Sequence, residues 1–203
     1  MASQYGVNTV TSVNAARPIR INSSTPIGLV GTVLLPANTV GMSEEHIVIY
    51  EKIKAGIPLF FGSADKANEF FGELEGTLRE SLDGVADQNV TGPLIVIAVE
   101  LETTHSGKVP ENFYDDLTLK SKIIAAVGRL KGVAGSVGYK PNLIVALRFS
   151  HDVDIATEMT SVAQKLLAMA LVDLNADDES AAVLAVGSFG TNRVLLCDPY
   201  VKV

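Results

Sequence analysis

The sequence predicts an α/β fold: a mixed, mostly parallel sheet flanked by helices, with an extended N-terminal arm. Three observations predict it. Apolar runs alternate with amphipathic stretches from residue 56 to the end, the order that builds a parallel sheet. "LIVIAVEL" (94–101) is nearly all apolar with four β-branched residues, as in a strand covered on both faces. Residues 1–24 have β-forming side chains (Val7, Val10, Val13, Ile19, Ile21) spread among Thr, Ser, Asn and Arg, with no pairing partner nearby in sequence. The Arg17-Pro18 step biases Arg17 toward extended geometry and removes one backbone donor.

Taken in order, residues 1–24 form the arm and "PIGLVGTVLLP" (26–36) a buried strand. "HIVIYEKI" (46–53) alternates and predicts a short strand. "GIPLFFGS" (56–63) predicts another, with Pro58 near its start, where a missing donor is tolerable. Ser63 is placed to cap a helix carrying Phe70 and Phe71, ending at Gly72. Thr77 and Glu80 have capping-box spacing for a helix over 78–88, with Leu78, Leu82 and Val85 on one stripe. After the Gly92-Pro93 break comes the strand at 94–101. Residues 102–116 are polar, with Gly107, Pro110 and Asp115-Asp116, and mark a boundary.

A helix is predicted over 117–131, with Leu119, Ile123, Ile124, Val127 and Leu130 inward and Gly132, Gly135 and Gly138 ending it. "NLIVALRF" (142–149) predicts a second buried strand. A long helix begins within 150–154, capped by Ser150 or Asp152, with Ile155, Met159, Val162, Leu166 and Leu167 on one side. "LAMALVDL" (167–174) passes into a strand, a short helix covers 178–187, and "RVLLCDPY" is the last strand. The organisation that follows is an arm (1–24), a first α/β segment (25–101), a linker (102–118) and a second α/β segment (119–203). No period of 20 to 50 residues marks a repeat array.

Composition narrows function. The chain has 203 residues, 47% hydrophobic and 19% charged, which is globular in character. A compact chain of this length buries roughly 70% of its extended surface. The net charge of −7 and pI near 4.9 argue against a nucleic-acid partner, which needs a basic surface. The longest apolar runs, near 94–99 and 166–172, are too short to span a bilayer, so no membrane insertion is expected. The start lacks a basic region followed by an apolar run, so no signal peptide is expected. The one cysteine, Cys197, lies in an apolar run and reads as a buried, inert thiol in a chain made in a reducing cytoplasm.

No motif for chemistry stands out, so no catalytic residue, metal site or cofactor is expected. His46, His105 and His151 lack His or Cys partners at ligand spacing. His151 beside Asp152 and Asp154 admits acid–base work, but a charged helix start accounts for it better. Asp173, Asp177, Asp178 and Glu179 lack the glycine and spacing of a calcium loop and read as a solvated loop with a helix cap. "GLVGTV" lacks the third glycine and the lysine of a phosphate loop, so Gly28 and Gly31 read as close-packing or bulge positions. "VGSFGT" (186–191) is no nucleophile elbow but a turn.

The arm carries the strongest functional signal. A lone strand exposes unpaired N–H and C=O groups on both edges, a template for pairing with another chain. Tyr5, Gly6, Val7, Val10, Arg17, Pro18, Ile19 and Ile21 are the candidate subunit-contact residues. Arg17 and Arg20 sit on the arm of an acidic protein, where they either meet acidic groups on a neighbour or serve solubility.

The same region resembles a known family. "GV" (6–7), then "ARPI" (16–19), then "SSTPIGLVGT" (23–32) is similar to the N-terminal pattern of contractile phage tail sheath proteins. There a Gly-Val arm leads through Pro-Ile into a core strand ending Gly-x-Val-Gly-Thr, here Gly28, Val30, Gly31 and Thr32. "GTLRESLDGVADQ" with "LIVIAVEL", and "KPNLIVALRFS", "VAQKLLAMALVDL" and "RVLLCDPYV", are similar to the later helix–strand succession. The chain departs from the pattern at Arg148-Phe149, where Pro-Gly is frequent.

The resemblance implies a structural subunit of a contractile tail sheath. It would be assembled in the host cytoplasm, resident in the virion tail, and joined to other sheath subunits by strand exchange. Its further partners would be a tail tube protein and a baseplate. No segment corresponds to the family's C-terminal region, so the resemblance implies a fragment or a short homologue. Two alternatives remain open: the sheath of a related contractile injection or type VI secretion machine, and a small cytoplasmic α/β enzyme with an unrecognised site.

Overall fold

The computed structural model describes residues 25–38, 41–88, 90, 92–101, 117–174 and 179–197. The arm, with all eight of its candidate contact residues, lies outside the described residues, as does most of the 102–118 linker.

The fold is α/β, as the apolar pattern predicts. Among the described residues, six strands form one sheet in the order β2-β3-β1-β4-β5-β6. They are β1 (Ile27–Val33), β2 (Leu59–Phe61), β3 (Leu94–Glu100), β4 (Leu143–Val145), β5 (Met169–Asp173) and β6 (Val194–Cys197). Only β2, at one edge, runs antiparallel to its neighbour. From β1 the chain first builds outward to β3, then crosses back to β4 on the other side of β1. The five parallel strands therefore have a doubly wound order that reverses beside β1.

Helices cover the two faces separately. On one side lie α1 (Glu44–Lys54), α2 (Ala64–Phe71) and α3 (Thr77–Asp87). Their Tyr50, Ile53, Ala67, Phe71, Leu78 and Leu82 pack with Leu29, Leu94 and Val96 of the sheet. On the other side lie α4 (Leu117–Arg129) and α6 (Val153–Leu166). Their Ile123, Val127, Ile155, Met159 and Val162 pack with Val30, Ile95, Ile97, Ile144, Ala170 and Val172. Alternate residues of one strand thus serve opposite cores, as the two-residue strand period requires. Each fully buried Leu or Ile contributes roughly 1.5–3 kcal/mol.

Several expectations change. Residues 46–53 are not a strand but the body of α1. Ser43 caps it by accepting from the His46 N–H, Glu44 and Glu45 occupy the first turn, and Lys52 and Lys54 the last. That arrangement suits the helix dipole and outweighs a short alternation. The helix at 117–131 does not stop at Gly132: a 3-10 turn (Leu130–Gly132) leads into α5 (Val133–Val137), which ends at Gly138. The strand in 142–149 ends at Val145, and Ala146–Ser150 turn instead. Leu167 is not on the inner side of α6; it is the left-handed C-cap and is 63% exposed. The remaining helix, α7 (Glu179–Ser188), falls where its cap signal placed it.

The centre of the sheet is fixed by backbone closeness. All seven residues of β1 are buried. A Cβ at Gly31 would lie 3.2 Å from the Leu78 backbone nitrogen and 3.1 Å from Thr77 Oγ1, and one at Gly28 would lie 3.0 Å from Pro141 Cβ. Both glycines are close-packing positions, and the register of β1 with β3 runs without a bulge. Thr77 does not form the capping box. The Thr32 N–H donates to Thr77 Oγ1 (3.0 Å), and the Thr77 N–H donates to Thr32 Oγ1 (3.2 Å). The cap position belongs to Gly76, at φ 140° and without a side-chain bond.

Gly76→Ala therefore meets both a forbidden φ and the Thr32 carbonyl. It should lower unfolding free energy by at least about 2 kcal/mol, read by urea denaturation. Thr77→Val, which removes one buried partner, should cost about 1–3 kcal/mol.

Candidate functional site

Two places on this sheet are candidates. The first is the carboxyl edge beside β1, where the strand order reverses and doubly wound folds place their ligands. The turn after β4 lies here. Arg148 adopts φ 65°, a left-handed conformation that costs a non-glycine residue roughly 1–2 kcal/mol. Its Nη2 donates to Glu80 Oε1 of α3 at 2.9 Å. Its Nε approaches Glu80 Oε2 at 2.7 Å, yet that oxygen, buried, takes no hydrogen bond, so the approach is out of line and Coulombic. The two side chains are 36% and 35% exposed. Such a pair contributes only about 0.2–1 kcal/mol, less than the strain it accompanies.

Beyond Arg148, Ser150 is 2% exposed. Its Oγ donates to Asp173 Oδ2 (3.0 Å) and accepts from the Asp173 N–H (3.1 Å). Asp152, not Ser150, caps α6, accepting from the Asp154 and Ile155 N–H groups at 2.9 and 3.2 Å. Lys120 of α4 reaches both Asp152 (2.8 Å) and Asp154 (2.7 Å). Burial works to raise the Asp152 carboxyl, but the Lys120 ammonium and the two backbone donors outweigh it and hold it below its ordinary value. Hydrogen bonds from Lys120 to Asp152 and Asp154 raise the Lys120 ammonium in turn. The acidic group at 152–154 is a helix start, as its spacing suggested.

The other sequence candidates scatter. His46 Nδ1 lies 2.7 Å from Ser43 Oγ, and its ring packs on Phe70. Asp173 serves Ser150, while 177 and 178 lie outside the described residues, as does His105. Among the described residues, no group of three or more His, Cys, Asp or Glu side chains is placed to hold a metal ion. No described helix is long and apolar enough to cross a membrane. Cys197 is half-buried on β6 instead of enclosed.

The second place is the half of the sheet from β4 to β6. Its α4/α6 face is covered, and Val194 and Leu196 of β6 pack partly against that core. The opposite face thins in cover from centre to edge. One register row runs Leu29, Val145, Leu171, Leu195. Leu29 is 2% exposed, Val145 and Leu171 are intermediate, and Leu195 is 53% exposed. The next row ends on Met169 at 38%. Parallel sheets are normally covered on both faces, so this bare corner is unusual.

β6 pairs with β5, and no other described strand lies beside it. In α7, Val183, Leu184 and Val186 are 65%, 77% and 51% exposed, and no described α7 side chain enters either core. Sequence reasoning missed these residues. The available signal was the run "AAVLAV", apolar all round in a short helix, which a single covered stripe does not need.

Compared with protein-family models and with curated protein sequences, the chain matches none.

Asp152→Ala should destabilise the fold by about 1–2 kcal/mol at neutral pH, measured by chemical denaturation. The folded carboxyl titrates below its ordinary value of 3.8. Its contribution is therefore present above that value and is lost as pH falls through the lower folded value. The gap between parent and variant should close on acidification below about pH 4.

Proposed function

We propose that this chain is a structural subunit that assembles by strand addition: the N-terminal arm of one copy pairs with the β6 edge of another. The observation that carries the reading is the corner where Leu195 and Met169 are exposed on one sheet face, beside a β6 edge that no described strand pairs. An added strand would satisfy the free backbone groups of β6 and place alternate side chains over that face.

The arm has the matching chemistry. Val7, Val10, Ile19 and Ile21 supply apolar β-forming side chains, and Arg17 and Arg20 supply positive charge to a chain of net charge −7. The arm also starts from a firm base. Pro26 accepts from the Asn142 N–H, and the Ile27 N–H donates to the Pro93 carbonyl, so the chain enters the sheet at its central strand. Donor arm and acceptor edge are different surfaces, so the contact is heterologous, and it builds an open helix where the rotation between copies does not close.

With the resemblance of "GV", "ARPI" and "PIGLVGT", this supports the sheath of a contractile phage tail. Other sheath subunits, a tube protein and a baseplate would be its partners. The sheath of a type VI secretion machine would use the same contacts. An enzymatic reading has less behind it: at the carboxyl edge Ser150 is engaged with Asp173, Arg148 with Glu80, and Asp152 with Lys120.

The test uses sedimentation velocity, electron microscopy and a synthetic peptide of residues 1–24. The parent chain should associate with rising concentration, and a variant lacking residues 1–21 should sediment as a monomer that binds the peptide. Leu195→Asp in that variant should abolish peptide binding. A parent that stays monomeric while the deletion variant binds peptide would mean the arm folds onto its own β6. Absence of peptide binding would remove the acceptor edge from the account.

A further inference from the structure

We propose that the added arm runs parallel to β6, so that successive copies meet with the amino edge of one sheet against the carboxyl edge of the next. The proposal rests on the strand-addition reading and supplies the direction of the strand.

Charge at the two ends of β6 carries it. At the amino end, three cations gather where α6 passes into β5. Lys165 lies in the last turn of α6. Lys140 Nζ donates to the Leu166 carbonyl and Arg193 Nη1 to the Leu167 carbonyl, both at 3.2 Å. Carbonyls have no formal charge, so these bonds leave the positive charge in place. Arg193 immediately precedes β6, and its own carbonyl accepts from the Ala170 N–H of β5. The carboxyl end is acidic. Asp173 stands in register with Cys197, and the Ser150–Asp173 bond brings Asp152 and Asp154 to the same edge, where Lys120 is bonded to the last two.

The charged side chains of the arm, Arg17 and Arg20, both lie in its second half. A parallel arm carries them toward Asp173. An antiparallel arm carries them toward Arg193, Lys140 and Lys165. Like charges facing each other on adjacent strands destabilise the pairing. Neighbouring strands are only about 4.8 Å apart, inside the Debye length of about 8 Å at physiological salt.

The root of the arm gives the same direction. Ile27 pairs with Leu94 and Leu143, the first residues of β3 and β4. The arm therefore leaves its own subunit at the amino edge, the one carrying Lys140, Lys165 and Arg193. From Ile21 to Thr25 the chain reaches at most about 14 Å. The donor's amino edge thus lies close to whichever end of β6 receives the second half of the arm. With a parallel arm that end is the acidic one. With an antiparallel arm two basic edges confront each other. Charge complementarity of this kind fixes orientation and register more than raw affinity.

Disulfide trapping on the whole chain tests the direction. Single cysteines are scanned from residue 8 to residue 22, first against the native Cys197, which shares a face of β6 with the exposed Leu195. The scan is repeated against Asn192→Cys with Cys197→Ser in place, and links between chains are read by mass. Moving the acceptor from 197 to 192 should shift the best-linked arm position by about five residues toward residue 8, because strands in parallel advance together. A shift of that size toward residue 22 overturns the direction and leaves strand addition standing. Links within a chain only, or no links, overturn both. Charge reversal reads the cause: Arg17→Glu with Arg20→Glu should weaken association at least about tenfold at low salt, and association unchanged or strengthened overturns the electrostatic argument.

Discussion

The fold depends on how closely α3 lies against β1. Gly31 leaves no side chain between the strand and the Leu78 backbone, and Thr32 and Thr77 exchange hydrogen bonds across the gap. A helix this near a strand leaves few backbone groups reachable by water, so each must find a partner within the protein. The reciprocal threonine pair meets that demand for two N–H groups at once. It also explains why the helix starts on Gly76: the side chain that would have capped it is used on the sheet, and only glycine takes φ 140° there. With α3 fixed, β1 is enclosed on both faces, and its neighbours β3 and β4 take their register from it.

Cover is distributed unevenly from that centre. The layer containing α4 and α6 spans the sheet out to Ala170 and Val172 of β5. The layer of α1, α2 and α3 follows β3 and β1, and touches β4 only through the partly buried Leu143 and Val145. The cause is topological. The β1-to-β3 connection contains all three helices of that layer and turns toward β2, whereas later connections run toward β6. One corner of a two-faced sheet is left with apolar residues and no described layer over them.

The sequence made the central strands legible because full burial leaves no alternation to misread: "LIVIAVEL" is a strand on composition alone. It misled at 46–53, where Ile47, Val48 and Ile49 suggest extended backbone. The deciding information was at the ends, in the Ser43 cap, the acidic first turn and the basic last turn. "NLIVALRF" misled for the converse reason. Nothing in the residue types reveals that Arg148 turns left-handed, because its partner Glu80 is 68 positions away. Thr77 and Glu80 have the spacing of a capping box, but both side chains are drawn off by distant partners, Thr32 and Arg148. The bare corner was illegible since exposure along Leu29, Val145, Leu171 and Leu195 is a property of cross-strand register, which no single segment contains. The eight arm residues, read from sequence, lie outside the described structure, so their role rests on their pattern and on the presence of an edge that suits it.

The location of that edge has a physical consequence for assembly. β1, whose seven residues are all buried, lies three strands away from β6, or about 15 Å at ordinary strand spacing. Local opening free energies fall from core to periphery. The chain can therefore complete its core without a neighbour and still present an incomplete margin. An added strand gains ladder hydrogen bonds and apolar cover at β6 without disturbing the Thr32–Thr77 junction, so folding and association draw on different contacts. On the proposed reading, a subunit linked through the arm and the outermost strand would change its position relative to its neighbours while its centre stays intact.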